Sequence, residues 1–303
     1  MSSPTSTELL ATATAGRQRK AWSASLPKPT AILMVIPLVI LVLLFVIYPL
    51  VKLTVDAITQ GDGGFSNFAA VFASGAIRNS MVNTMIMSVI VTILCLVIGG
   101  VLAWILATPQ RAWVKALVWA AILLPFWMGV IVKTYAWSVL LAKNGVINSF
   151  LISLGVIDQP LALLYTPFAV ILGMTYTMLP YAVLAMYPTI SGFNRELINS
   201  ARILGSSRTG AMVKIWLPNV MPGLVAAAAI VFAISIGFYI TPVLLGGAQV
   251  PFMASVIGDD IFSFFNYPRA AASSVVLLVI ALVVLFAALR SVGAKALKGG
   301  LGG

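Results

Sequence analysis

Few side chains in this 303-residue sequence could do acid–base, nucleophilic or metal chemistry. Histidine is absent and Cys95 is the only cysteine, which excludes disulfides within the chain, Cys/His zinc sites and Ser/His or Cys/His nucleophile pairs. Cys95 stands among Ile93, Leu94, Leu96 and Val97 and reads as a small hydrophobe. No Gly-x4-Gly-Lys-Ser/Thr phosphate loop occurs, so the chain has no nucleotide site of that kind. Of the seven carboxylates, Asp259 and Asp260 alone are adjacent. Lys133 is unusual in another way, because it lies within an apolar run, where an ionisable group is costly and tends to serve a purpose. The expectation for Lys133 is that its stem carries the ammonium outward to an interface, with a place on a solute path as the other reading.

The elements that must position these residues are helices in lipid. Hydrophobic residues make up 61% of the chain and charged ones 8%, far below the roughly 25% charged of a soluble domain. Apolar runs place spans at about 31–51, 81–107, 114–138, 161–187, 220–245 and 271–290. The fold class is thus all-α membrane protein with six transmembrane helices. The first run is too long for a signal-peptide core and no small-residue cleavage site follows Leu50, so it reads as a retained anchor. Residues 1–28, rich in Ser, Thr and Ala, read as a disordered cytoplasmic lead, residues 29–292 as the membrane domain, and 293–303 as a cytoplasmic tail whose Gly-rich end after Lys298 frays.

Thirteen of the eighteen Lys and Arg residues fall on one side of this topology, including Arg17, Arg19, Lys20, Lys28, Arg195, Arg202, Arg208 and Lys214. Positive residues near span ends stay in the cytoplasm, so both termini are expected there. The net charge of +11 therefore reports topology and not a nucleic-acid footprint.

The loop at 188–218 is the most informative stretch. Asn194 can cap a short helix, Glu196 suits its positive end, and Gly205 suits its C-terminal turn. Leu197, Ala201 and Leu204 share one face, and a second amphipathic piece runs from Ser206 to Trp216 before Pro218 opens the next span. Such a loop lies on the membrane surface or docks into a groove on a soluble partner. Asn199-Ser200-Ala201, three residues, Gly205, nine residues, then Ile215-x-Leu217-Pro218 resembles the EAA loop of binding-protein-dependent ABC importer permeases, written Glu-Ala-Ala-x3-Gly-x9-Ile-x-Leu-Pro. Asn199 replaces the motif's Glu and Ser200 its first Ala, with Glu196 one helical turn away. The resemblance implies a type I importer fold in which Glu196, Asn199, Ser200, Ala201, Gly205, Ile215, Leu217 and Pro218 form a coupling segment seated in a separate ATPase.

Pro125-Phe126-Trp127, Lys133-Thr-Tyr135-Ala-Trp137, Asn144-Gly145-Val-Ile-Asn148, Tyr165-Thr166, Leu179-Pro180 and Gly237-Phe-Tyr239-Ile-Thr-Pro242 leading to Leu245-Gly-Gly247 are similar to the spermidine/putrescine permeases, first of their two membrane subunits. That resemblance implies a second permease, a pair of ATPase subunits holding the ATP and magnesium, a periplasmic binding protein on the outer side of a bacterial inner membrane, and no cofactor in this chain. Solute-path candidates are Trp127, Tyr135, Trp137, Tyr176 and Tyr239, whose rings could stack on an ammonium group, together with Lys133, and Asp259 with Asp260, which could draw a cation inward or simply lie solvated in a loop. Other importer solutes (ferric iron, phosphate or sulfate) share the loop motif, whereas an ion-gradient transporter would carry carboxylates inside its spans, and none lies centrally in any of them.

Overall fold

A computed structural model describes residues 28–61 and 63–300, so all of the expected lead 1–28 but Lys28, together with Asp62 and the terminal 301–303, lies outside the described residues. The first helical run comprises α1 (Lys28–Val42), a π turn (Leu43–Ile47) and α2 (Tyr48–Thr59). The described side chains of residues 35–52 are all exposed, which suits a helix whose apolar surface meets lipid on every side. By contact the chain divides at this helix, into residues 1–52 and a second unit, 53–303.

The second unit contains α3 (Ser66–Ala73), α4 (Gly75–Ala107), α5 (Ala112–Trp127), α6 (Val130–Leu141), α7 (Val146–Ser153), α8 (Pro167–Ser191), α9 (Glu196–Ile203), α10 (Arg208–Ala211), α11 (Leu217–Ile236), α12 (Met253–Phe262) and α13 (Tyr267–Gly300). Helices α4, α8 and α11 pack against one another and form its centre. The buried face of α4 is made largely of small residues, Ser80, Thr84, Ser88, Thr92, Cys95, Gly99 and Ala103, which let neighbouring backbones approach closely where no hydrophobic effect drives helices together.

Six helical runs among the described residues are long and apolar enough to cross a membrane: Val35–Thr59, Gly75–Ala107, Val130–Ser153, Pro167–Ser191, Arg208–Ile236 and Tyr267–Ala287. Three of the expected spans are corrected in their course or bounds. The third, expected as one helix over 114–138, is interrupted at Met128 and Gly129, both extended (ψ 136° and 144°). Pro125 withholds a hydrogen bond from the preceding turn and Gly129 favours leaving the helix, so the break falls between them. Alone, the 16 residues of α5 reach about 24 Å, short of the roughly 30 Å hydrocarbon core. Yet α5 and α6 follow one antiparallel track along α8, with ring pairs Trp119–Tyr187, Phe126–Tyr181 and Trp137–Tyr176 at 5.2, 5.4 and 5.6 Å between centroids. The third crossing is therefore α5 followed by α6, because α6 ends at Leu141 and the run to Ser153 is broken by a turn.

The fifth span, expected over 220–245, begins within the preceding loop at Arg208 and ends at Ile236. Its early start passes Pro218 through a π turn (Met212–Trp216), in which the Leu217 N–H donates to the Met212 carbonyl, a widened ring that relieves the clash a proline makes with a regular turn. Gly237 ends the helix, and Pro242 opens a separate π turn, Pro242–Gly246. The fourth span starts at Pro167 and not 161, capped by Thr166 Oγ1, which accepts from the Ala169 N–H at 3.3 Å. The tail expected from 293 continues α13 to Gly300.

Candidate functional site

The loop between α8 and α11 is built from local hydrogen bonds. Asn194 Oδ1 accepts from the Glu196 N–H at 2.9 Å and so caps α9 as expected. At the other end the Ser206 N–H donates to the Ala201 carbonyl (2.9 Å) and the Gly205 N–H to the Arg202 carbonyl (3.1 Å). This paired pattern closes a helix when the residue after the cap is left-handed, and Gly205 has φ +89°. Leu204, expected on the face of Leu197 and Ala201, is instead the capping residue, and it stands out with Ile203 at 87% and 86% exposed. Asn199 and Ser200 are exposed and Ala201 half-buried, so α9 offers the motif's small residues to whatever approaches it. Ser207 Oγ accepts from the Gly210 N–H (3.0 Å) and starts the returning segment, on which Ile215 and Leu217 are half-buried and Pro218 exposed.

Both ends of the loop are fastened to the end of α4, through residues outside the motif. Arg195 Nη2 donates to the Ala107 carbonyl at 3.0 Å, where a cation meets the negative end of a helix. Its guanidinium lies 5.5 Å over the Trp104 ring, and Trp104 in turn meets Trp216 edge-on at 5.2 Å. An apolar cavity of about 500 Å³ adjoins this cluster, lined by Trp104, Met186, Ile190, Met212 and Trp216 among others. A basic residue one place before the acidic start of α9 and a tryptophan three before Asn219 were visible signals, but their common partner Trp104 lies 91 and 112 positions away in sequence.

The solute-path candidates scatter. Lys133 does not extend outward: it is 4% exposed, and its Nζ donates to the Pro125 carbonyl at 3.0 Å. That carbonyl is in the last turn of α5, left open by the break at Met128, and the ammonium closes it. Trp127 and Tyr135 are 83% and 64% exposed, while Trp137 and Tyr176 are spent on each other. Tyr239 lies against Gly258, whose missing Cβ leaves the ring its place. Asp260 is not a solvated acid: it is 1% exposed and held by Arg269, whose Nε donates to Oδ1 and Oδ2 at 3.1 Å each and whose Nη2 adds a closer bond. Asp259 alone of the pair is exposed.

Several residues that carried the permease resemblance meet in space. Asn148, fully buried, donates from Nδ2 to the Ala142 and Leu161 carbonyls (3.1 and 3.0 Å) and accepts the Leu161 N–H at 2.9 Å. A Cβ at Gly145 would stand 2.5, 2.6 and 2.9 Å from the carbonyls of Val139, Leu140 and Ala142. The Tyr165 N–H donates to the Leu245 carbonyl at 2.8 Å, and buried Thr134 and Thr241 share a hydroxyl hydrogen bond of 2.9 Å. These residues hold the turn after α6 and the segment after α11 in place.

The fold is similar to that of one chain of a bacterial ABC transporter involved in the import of the acidic polysaccharide alginate, with a TM-score of 0.73 over 88% of this chain and 95% of that one, at 18% identity. In sequence the chain is similar to the spermidine/putrescine transport system permease protein PotB. It is 33% identical over 183 residues to PotB of Salmonella typhimurium (strain SL1344), 60% of this chain and 63% of that protein. The same identity and length hold for PotB of Escherichia coli (strain K12), of which 66% is covered. The alignment thus spans just under two thirds of these relatives. No family model matches the chain.

Proposed function

We propose that this chain is the permease subunit of an ATP-driven importer, contributing half of a membrane pathway for a small amine-type solute such as a polyamine, an opine or an amino-acid-like amine. On this reading the chain does no bond-making chemistry. It sits in a bacterial inner membrane with both termini cytoplasmic, beside a related second permease, receives solute from a periplasmic binding protein, and takes its energy from a separate ATPase pair that binds ATP and magnesium.

The observation that carries the reading is the loop. It combines the EAA spacing with an exposed α9, a left-handed glycine at the motif's glycine position, and a root fastened to α4 at both ends. A short rigid helix displayed in this way can pass a push from a soluble partner to α4, α8 and α11, and so favour one of two pathway states. The likeness to PotB supports an amine-type solute. Helix α9 with Glu196, Asn199, Ser200 and Ala201 supplies the contact, Gly205 the turn, and Ile215, Leu217 and Pro218 the return into the membrane.

The experiment is reconstitution. Purified with its partners, the chain is expected to bring down an ATPase and a second permease, and in vesicles to take up labelled putrescine or spermidine only with ATP and the binding protein. A chain that purifies alone and transports without ATP overturns the proposal.

A further inference from the structure

Asn199, Arg202, Ile203, Ser206, Ser207 and Arg208 line a surface groove of about 530 Å³ where α9 turns back toward α10. The lining offers two guanidinium groups, one carboxamide and two hydroxyls, and no carboxylate. Both arginines are exposed, and the ion pair found among the described residues is a different one, Asp260 with Arg269. Glu196, the loop's single acid against the four cations Arg195, Arg202, Arg208 and Lys214, is not in the lining. The position that matches the motif's carboxylate is thus uncharged Asn199, and two planar forks suited to carboxylates flank it. Next to them Ile203 and Leu204 stand almost fully exposed.

Resting on the coupling reading above, we propose that this groove meets an acidic edge of the cleft in which the ATP-hydrolysing subunit seats the loop, with Arg202 and Arg208 gripping its carboxylates and Ile203 and Leu204 seated on apolar ground beside it. A basic loop also attracts anionic lipid. A membrane-lying helix, however, spreads its apolar residues along one continuous face, whereas on α9 Leu197 is the one exposed large apolar residue away from the pair at the turn, and the cations line a concavity. Such charge pairing sets partner choice and encounter rate more than raw affinity, so it would select the matching ATPase among several with similar clefts.

The test titrates the full chain, solubilised with its partner permease, with the ATPase subunit purified from the same complex. Between roughly 50 and 500 mM NaCl the wild-type affinity should fall about tenfold, because screening shortens the reach of these charges. Arg202→Gln/Arg208→Gln should bind about tenfold more weakly at low salt and lose most of that salt dependence, with an unchanged melting temperature because both side chains are exposed. Asn199→Glu, which returns a carboxylate to the groove, should weaken binding. Unchanged affinity in the double arginine variant, or tighter binding by Asn199→Glu, overturns the proposal. So does a double variant that loses only its attachment to phosphatidylglycerol vesicles, which would make the contact a lipid one. If the wild type binds no ATPase at all, the coupling reading fails too; if it binds and the arginines make no difference, only the acidic partner surface is lost.

Discussion

Between Ser191 and Leu217 the chain leaves its helix, turns at Gly205 and returns with most of its side chains exposed; between Trp127 and Val130 it leaves its helix and seals the gap with a buried lysine. Both stretches free backbone groups. In the loop, local caps from Asn194, Ser207 and the turn at Gly205 satisfy them, and the side chains stay available to a partner. In the third span, Lys133 is consumed in satisfying the Pro125 carbonyl. Lipid explains the difference, since an open carbonyl inside a bilayer must find a donor within the protein. Lys133, Asn148 and Asp260 in the body of this chain therefore act as staples, whereas Asn199, Arg202 and Arg208 of the loop stay exposed.

That contrast breaks or sharpens on substitution. The largest loss of stability should follow Arg269→Met, which strands the carboxylate of Asp260, a residue 1% exposed; removing one partner of a buried pair costs about 3–5 kcal/mol, and with Arg269 itself 35% exposed the loss should fall toward the lower end of that range, read as a fall in melting temperature in detergent. Lys133→Met should cost about 1–3 kcal/mol by leaving a buried carbonyl unpaired, and Lys133→Gln, which keeps a donor, should recover part of it. If Lys133→Met is as stable as the wild type but alters which solutes are carried, the lysine belongs to the path and the staple account fails there. Gly205→Asp should cost only about 1–2 kcal/mol, for a left-handed backbone in open space, yet abolish ATP-dependent uptake while the protein stays in the membrane. Arg195→Met comes last, at about 1 kcal/mol or less for an exposed charge-assisted bond, with a several-fold drop in uptake per ATP hydrolysed. A reversed ranking, with the loop variants unstable and the body variants merely inactive, would dissolve the distinction.

Sequence reasoning reached these two regions unequally. The spans were legible because lipid demands long apolar runs, and the loop because its glycine and proline spacing is a local constraint. Asn194 as a cap and Gly205 as the left-handed closer follow from residue type alone. Pro125 and Gly129 together did signal a break in the third span, but mean hydropathy across 114–138 conceals it. The orientation of Lys133 followed from that break and was not legible without it. Asp260 and Arg269 were visible nine positions apart, but their pairing depends on the turn between them, where Phe265 takes φ +52° and the Asn266 N–H returns to the Asp260 carbonyl at 2.7 Å. The Arg195–Trp104–Trp216 cluster joins three distant stretches, and no local rule predicts it.

The proposal that energy enters at the loop can be met by one crosslinking measurement. Cys95 is fully buried, so Leu204→Cys gives the chain a single reactive thiol at a site 87% exposed in the wild type. In the assembled transporter, a short thiol-reactive crosslinker at this position should join the chain to the ATPase subunit, with a yield that changes when ATP is bound. A complex that hydrolyses ATP and transports, yet shows no crosslink from Leu204→Cys to its ATPase in any nucleotide state, would contradict it.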